Sequence, residues 1–287
     1  MNVQGFASFH NRLWLPGRLR LETALRVGTG RSTEAVGVDL PVVKDFYDRP
    51  YIPGSSFKGA LRAYIESVLR GLQERLGRKD LACLSVSKPD SPDYEGCLTQ
   101  SKVNNMKEEF RDNPQALEQA FWEGSCWVCR VFGAPWLASK VWVRDLTVDE
   151  ETWPERYEQR DGVAIDRDTG TAAEGFKYEF EAVPPGVVFN FEFLAENASP
   201  AEQGLLLLAL RGFEEGHVML GGGRSRGLGR VRLEIDWDGS EYVDEAILLD
   251  YLLGTVEKES LRAFADEDFR RSRLEEFLKE AGVKEDA

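Results

Sequence analysis

With 287 residues and 42% hydrophobic composition, the chain can bury a substantial core, which excludes the disordered and fibrous classes. No run of eighteen or more apolar residues occurs, and the opening MNVQGFASFH lacks a basic region followed by an apolar stretch, so the sequence predicts no membrane span, no signal peptide and a cytoplasmic protein. The net charge of −14 argues against a nucleic-acid partner only on average. Residues 1–80 hold 13 Lys/Arg against 8 Asp/Glu, and 221–232 hold Arg224, Arg226, Arg230 and Arg232 with no acid, so basic surfaces can sit on an acidic body.

In chain order, Leu19–Val27 alternates as a strand and meets glycines at 28 and 30. A loop follows over 31–53. From Ser55 or Ser56 as N-cap, Phe57, Leu61, Tyr64, Ile65, Val68, Leu69, Leu72 and Leu76 recur at helical spacing, and the helix is expected to end near Gly77. Residues 78–130 keep no period and hold Pro89, Pro92, Pro114 and all four cysteines, the pattern of an insertion. Val141–Val148 reads as a strand, 155–182 as a long polar hairpin and Gly186–Leu194 as a strand. Ala201–Glu215 reads as a second helix, the glycine-rich 220–230 as a turn, and Val231–Ile235 as a last strand.

The order strand, helix, strand, strand, helix, strand predicts an α+β, ferredoxin-like (RRM-like) palm, an antiparallel sheet with two helices on one face. Modules of this class bind single-stranded RNA on the open face. Residues 1–240 would form this domain, and 241–287 a charged helical extension.

Glycine at 221, 222, 223, 227 and 229 lets the backbone approach a ligand, so Gly222, Gly223, Arg224, Ser225, Arg226 and Gly227 can offer N–H groups and cations to phosphate. The competing reading is a tight helix-to-strand turn with solvated arginines. It is not a dinucleotide fingerprint, because it leads from a helix into a strand.

Together with VDLPVVKDFYDRPYIPGSSFKGALR at 38–62, CRVFG at 129–133 and RDGVAIDRDTGTA at 160–172, this loop resembles the RAMP superfamily, and more narrowly the repeated backbone subunit of type III CRISPR effectors. The resemblance implies a thumb-like hairpin at 155–182, a CRISPR guide RNA, a complementary target RNA, other effector subunits and further copies of the chain along the guide as partners. It also implies metal-dependent cleavage of the target, with the aspartate of the D-x-P-V loop, here Asp39, as the required carboxylate and Mg2+ or another divalent cation as cofactor. Without the family, a lone aspartate is an ordinary turn-former.

The helix entry offers free N–H groups and the positive end of the helix dipole, so Ser55, Ser56 and Lys58 are expected to contact guide RNA. An ordinary serine cap with a surface lysine is the alternative. Lys44, Arg49 and Arg62 are expected to converge there with the glycine-rich loop, while Arg160 and Arg167 belong to the thumb by resemblance. Cys126-x-x-Cys129 with Cys83 and Cys97 suits a structural Zn2+ site, against four buried thiols. His10 and His217 are the only histidines, and neither neighbours a catalytic partner in sequence. Three further readings compete with the nuclease: a non-catalytic scaffold of the same complex, a guide-processing ribonuclease, and an acidic protein-interaction module.

Overall fold

The computed structural model describes residues 6–30, 39–84 and 97–283. Residues 31–38 of the expected loop, and Pro89 and Pro92 of the expected insertion, lie outside them. The main sheet is built from β1 (Asn11–Leu21), β3 (Val141–Val143), β7 (Val188–Glu196) and β8 (Val231–Ile235) in the order β3-β7-β1-β8, with every pairing antiparallel. The mixed helix-and-sheet class and the chain order of these elements are as expected.

β1 starts well before Leu19. Leu13, Leu15, Leu19 and Leu21 are buried while Arg12, Arg18 and Arg20 are not, the period of two of a sheet with one covered face. Pro16 sits inside the strand because its carbonyl, accepting from Asp236 N–H, faces the edge where β1 changes partner. Residues 11–14 pair with β9 (Glu241–Asp244) and 17–21 with β8, so the N–H that proline lacks falls in the gap between them.

The covered face packs against α1 (Gly54–Leu76) and α5 (Pro200–Glu214), whose Phe57, Leu61, Ile65, Leu205 and Phe213 join Phe189, Phe191 and Phe193 in one core. Ser199 caps α5 through a capping box with Glu202. Gly77, in the left-handed conformation, ends α1 where the periodicity stops.

Three expectations need correction. Neither Ser55 nor Ser56 is the N-cap of α1: Pro53 holds that position without a side-chain bond, and the carboxylate of Asp145 instead accepts from Gly54 N–H at 2.8 Å. The strand expected over 141–148 is two short ones, β3 and β4 (Leu146–Thr147), with β4 leaving the main sheet to pair with β2 (Tyr51–Ile52). The segment 241–287, expected to be helical, opens with β9, because Tyr242 and Val243 are buried against β1 and the adjoining core.

Beyond β9, α6 (Leu248–Leu253) is followed by α7 (Glu267–Glu280), which docks on α5 where Gly204 gives a backbone carbonyl of α7 room that any Cβ would fill. The insertion carries α2 (Gln100–Glu109), α3 (Pro114–Glu123) and α4 (Trp127–Phe132). The hairpin is β5 (Glu158–Ile165) with β6 (Ala172–Ala182). Among the described residues, no helix is long and apolar enough to cross a membrane.

Candidate nucleic-acid interface and cysteine cluster

The uncovered face of the sheet is ruled by cross-strand ion pairs rather than by a basic surface. Arg12 meets Glu196 at 2.7 Å, Arg20 meets Glu234 at 3.3 Å and Arg144 meets Glu192 at 2.9 Å. A polyanion laid across that face would meet paired charge, so attention moves to the sheet end where the Asp39 loop, the hairpin and the glycine-rich loop meet.

There Asp39 is exposed, and its Oδ2 accepts from Glu179 N–H at 2.9 Å. Leu40 adds main-chain bonds to Glu179 O and from Glu181 N–H, making the loop a short parallel partner of β6. Tyr178 and Phe180 flank Glu179 on the opposite side of that strand. Tyr178 Oη accepts from Arg226 of the glycine-rich loop at 2.5 Å.

That loop folds tightly. Gly221, at φ +72°, lies so close to the carbonyl of Arg26 that no Cβ fits, and Gly222 N–H donates to the same carbonyl at 2.8 Å. Arg224–Arg226 form a single 3-10 turn between left-handed Gly223 and Gly227, with Arg224, Ser225 and Arg226 exposed. The apparent absence of acid near 221–232 holds only locally in sequence, since Glu22 of the β1 extension pairs with both Arg230 (2.6 Å) and Arg232 (3.0 Å). Arg224 and Arg226 remain without an ion pair among the described residues.

The basic residues expected to converge are divided among separate places. Lys44 Nζ lies between Glu181 and Asp48, at 3.3 and 3.2 Å, and over the Tyr157 ring. Arg49 is bound to Asp45 at 2.9 Å and to Glu150. Both line a cleft of about 620 Å³ whose walls include Asp145 and Asp149, an acidic setting. Lys58 turns inward to Ser139 Oγ (2.7 Å) and Val141 O (2.8 Å), and burial, with the charge of Arg62 adding to it, pushes its ammonium below the ordinary lysine value.

Arg62 turns to Glu66, to Gly133 O and, at 3.4 Å, to Cys129 Sγ. Ser55 and Ser56 stay exposed on the first turn of α1. Arg160 pairs with Glu158 on β5, and Arg167 is exposed in the turn of the hairpin. Arg26, Tyr178 and Asp145 escaped the sequence reading. Nothing local marks Arg26, one of several charged residues in Leu19–Val27, or Asp145, 91 residues from the N–H it serves.

The four cysteines do come together. The Sγ atoms of Cys83, Cys97, Cys126 and Cys129 all lie within 4.8 Å of one another, with Cys83 and Cys129 at 3.6 Å, and the cysteines are not disulfide-bonded. Cys129 lies in α4 and Cys126 is its N-cap, and the first N–H groups of the helix are tied to Asp80 O and Leu81 O, which brings the chain at Cys83 alongside. Cys97 Sγ accepts from Cys126 N–H at 3.1 Å. Hydrogen bonds from Cys129, Cys83 and Cys97 hold Cys126 well below the usual thiol range, while Cys126 in turn raises Cys129 and Cys97. Such a cluster can hold a metal ion.

A family model described as the RAMP superfamily matches residues 18–232. The protein named CRISPR system Cms endoribonuclease Csm3 of Methanocaldococcus jannaschii is 27% identical over 230 residues, covering 76% of this chain and 77% of that protein. Its namesake in Enterococcus italicus is 25% identical, covering 79% and 92%. That of Methanothermobacter thermautotrophicus is 25% identical, covering 79% and 85%. With the family match running through the sheet, both core helices, the hairpin and the glycine-rich loop, this chain belongs to the RAMP superfamily.

Proposed function

We propose that this chain is an endoribonuclease, the guide-RNA-binding backbone subunit of a type III CRISPR effector, that cuts complementary single-stranded target RNA in a metal-dependent reaction using Asp39. The observation that carries the reading is one of place. The exposed Asp39 is fixed to β6 one residue from Tyr178, which holds Arg226 of the glycine-rich loop, in a chain similar over most of its length to three proteins named endoribonuclease Csm3. The sheet order β3-β7-β1-β8 with α1 and α5 on one face supports a ferredoxin-like palm. The RAMP domain, expected over 1–240, then runs on through β9, which pairs with β1, with β5–β6 as thumb and the chain after Asp244 an added extension.

Asp39 would share a divalent cation such as Mg2+ with RNA phosphate oxygens and water, the usual mode for an ion that takes only one or two carboxylates from protein, and the ion would offset charge on the phosphorane and activate the attacking hydroxyl. The Glu179 N–H occupies one lone pair of the carboxylate and orients it, leaving acceptor capacity for that role. Arg224, Arg226 and the N–H groups of Gly223 and Ser225 form the phosphate-binding loop, whereas the expected N–H groups of Gly222 and Gly227 are taken by the carbonyls of Arg26 and Arg224. Ser55 and Ser56 offer hydroxyls at the start of α1, and Arg160 and Arg167 act from the thumb. Lys44, Arg49, Lys58 and Arg62 reach RNA only by exchanging the protein partners they now hold.

The cysteine cluster fits Zn2+: a tetrahedral ion with sulfur ligands at about 2.3 Å sets sulfurs about 3.8 Å apart, in line with the spacing here. The partners are guide RNA, target RNA, other effector subunits and further copies along the guide, in the cytoplasm.

A scaffold that binds both RNAs without cutting is the second reading. Among the described residues, Asp39 belongs to no cluster of three potential metal ligands, which is the observation on that side. Cleavage of a labelled target by the guide-loaded complex, abolished by chelation and restored by Mg2+, is the expected result. Binding without cleavage leaves the scaffold.

A further inference from the structure

Past residue 232, where the match to the RAMP superfamily ends, α6 turns apolar side chains to water. It reads LLDYLL, and none of its residues is buried. Leu249, Leu252 and Leu253 are 69%, 71% and 66% exposed. Spaced i, i+3 and i+4, they share one face of the helix and form a single apolar patch rather than scattered surface residues. A helix this short does not hold itself in water. Bonds of the turn after it, from Gly254 N–H to Tyr251 O and from Thr255 N–H to Asp250 O, fix its end, so the leucines are held in place while they remain exposed.

The surrounding charge selects what can cover such a face. From 241 to 259 the chain carries Glu241, Asp244, Glu245, Asp250, Glu257 and Glu259 against Lys258 alone. Among the described residues, Glu245 with His10 is the only side-chain ion pair of this group. A second copy brought to the same face would set acid against acid, and RNA or an anionic lipid surface would be repelled in the same way. An amphipathic helix with an apolar face flanked by Lys or Arg meets both features, burying the leucines and pairing the acids. The place is separate from the Asp39 loop. β9, which leads into α6, pairs with Asn11–Trp14, whereas the glycine-rich loop lies beyond Leu21 at the other end of β1, about 30 Å along the strand.

We propose that the leucine face of α6 docks a basic amphipathic helix of another protein. Two measurements on the full chain test it. In the first, synthetic amphipathic helices that share a leucine face and differ in lysine or glutamate flanks are titrated onto native protein, onto Leu249→Gln with Leu252→Gln, and onto Asp250→Asn with Glu257→Gln. Glu108→Gln with Glu109→Gln, on α2, controls for general acidity. In the second, a photo-crosslinker replaces Leu252 in protein assembled in its own cells, and the joined peptide is sequenced.

The lysine-flanked helix is expected to bind native protein, about tenfold more weakly to either α6 variant, and with native affinity to the α2 control. The glutamate-flanked helix should bind native protein about tenfold more weakly than the lysine-flanked one. The crosslink should fall on a Lys- or Arg-rich amphipathic segment of a different protein. Equal affinity of native protein and the leucine variant overturns the proposal. So does an equal loss in the α2 control, which marks adhesion of cations to an acidic body. A crosslink to a second copy, to RNA or to nothing overturns it as well. The replaced leucines are exposed, so the melting temperature should stay native; if the leucine variant melts lower, the crosslink decides.

Discussion

The carboxylate of Asp39 is held by the main-chain N–H of Glu179, 140 residues away, at 2.9 Å. A loop residue near the N-terminus is thereby fixed to the hairpin strand β6, and the two main-chain bonds of Leu40 extend the attachment. The position of Asp39 therefore depends on the shape of the hairpin base, and one residue tests that dependence.

Gly162 faces Tyr178 across the hairpin, and the tyrosine ring occupies the space a Cβ would need. Gly162→Val should displace Tyr178 and free Arg226 while removing little buried core. The expected outcome is a loss of target affinity or cleavage of about tenfold, equivalent to about 1.4 kcal/mol, with a small change in melting temperature. Cleavage assays and thermal melts on the same preparations check it.

Around the cysteines, metal and stability should move together. Purified protein is expected to hold one Zn2+ by elemental analysis, and Cys126→Ser to lose it. Because α4 and the chain around Cys83 and Cys97 meet at this cluster, chelation should lower the melting temperature of the native protein and leave that of Cys126→Ser nearly unchanged. Equal melting with and without chelator would leave the cysteines as packed thiols.

Lys140 and Glu202 form a buried ion pair at 2.7 Å, with side chains only 6% and 5% exposed. Lys140→Met leaves the carboxylate of Glu202, which also serves the capping box of α5, without its counter-charge. The cost should be about 3–5 kcal/mol. The double variant Lys140→Met with Glu202→Gln should cost clearly less than the sum of the single changes, as urea denaturation of all four proteins would show.

The two core helices and the order of the main elements could be read from the sequence because they depend on local periodicity: Phe57, Leu61, Ile65 and Leu69 recur at helical spacing, and Gly77 stops α1 where the pattern stops. β1 was read short because Pro16 and Gly17 interrupt the alternation, and only the change of partner from β9 to β8 explains why a proline is tolerated there.

The site was legible as a set of motifs and illegible as a set of contacts. Arg62 looks like a surface cation on α1 until Glu66 and Cys129 are placed around it, and Arg230 and Arg232 look free until Glu22 arrives from β1's extension. Counter-charges supplied from distant parts of the chain leave no local signature. They divide the predicted basic patch into paired arginines and the few that remain for a ligand.

The central claim is that Asp39 is the essential carboxylate of target cleavage. The direct measurement is cleavage of a labelled complementary RNA by the guide-loaded complex in Mg2+, comparing native protein with Asp39→Ala and measuring target affinity on the same samples. The account predicts that cleavage is lost in Asp39→Ala while target affinity stays within about twofold of native, since one exposed carboxylate contributes little to holding a polyanion. Equal cleavage by the two proteins would contradict it and place the cutting elsewhere in the complex.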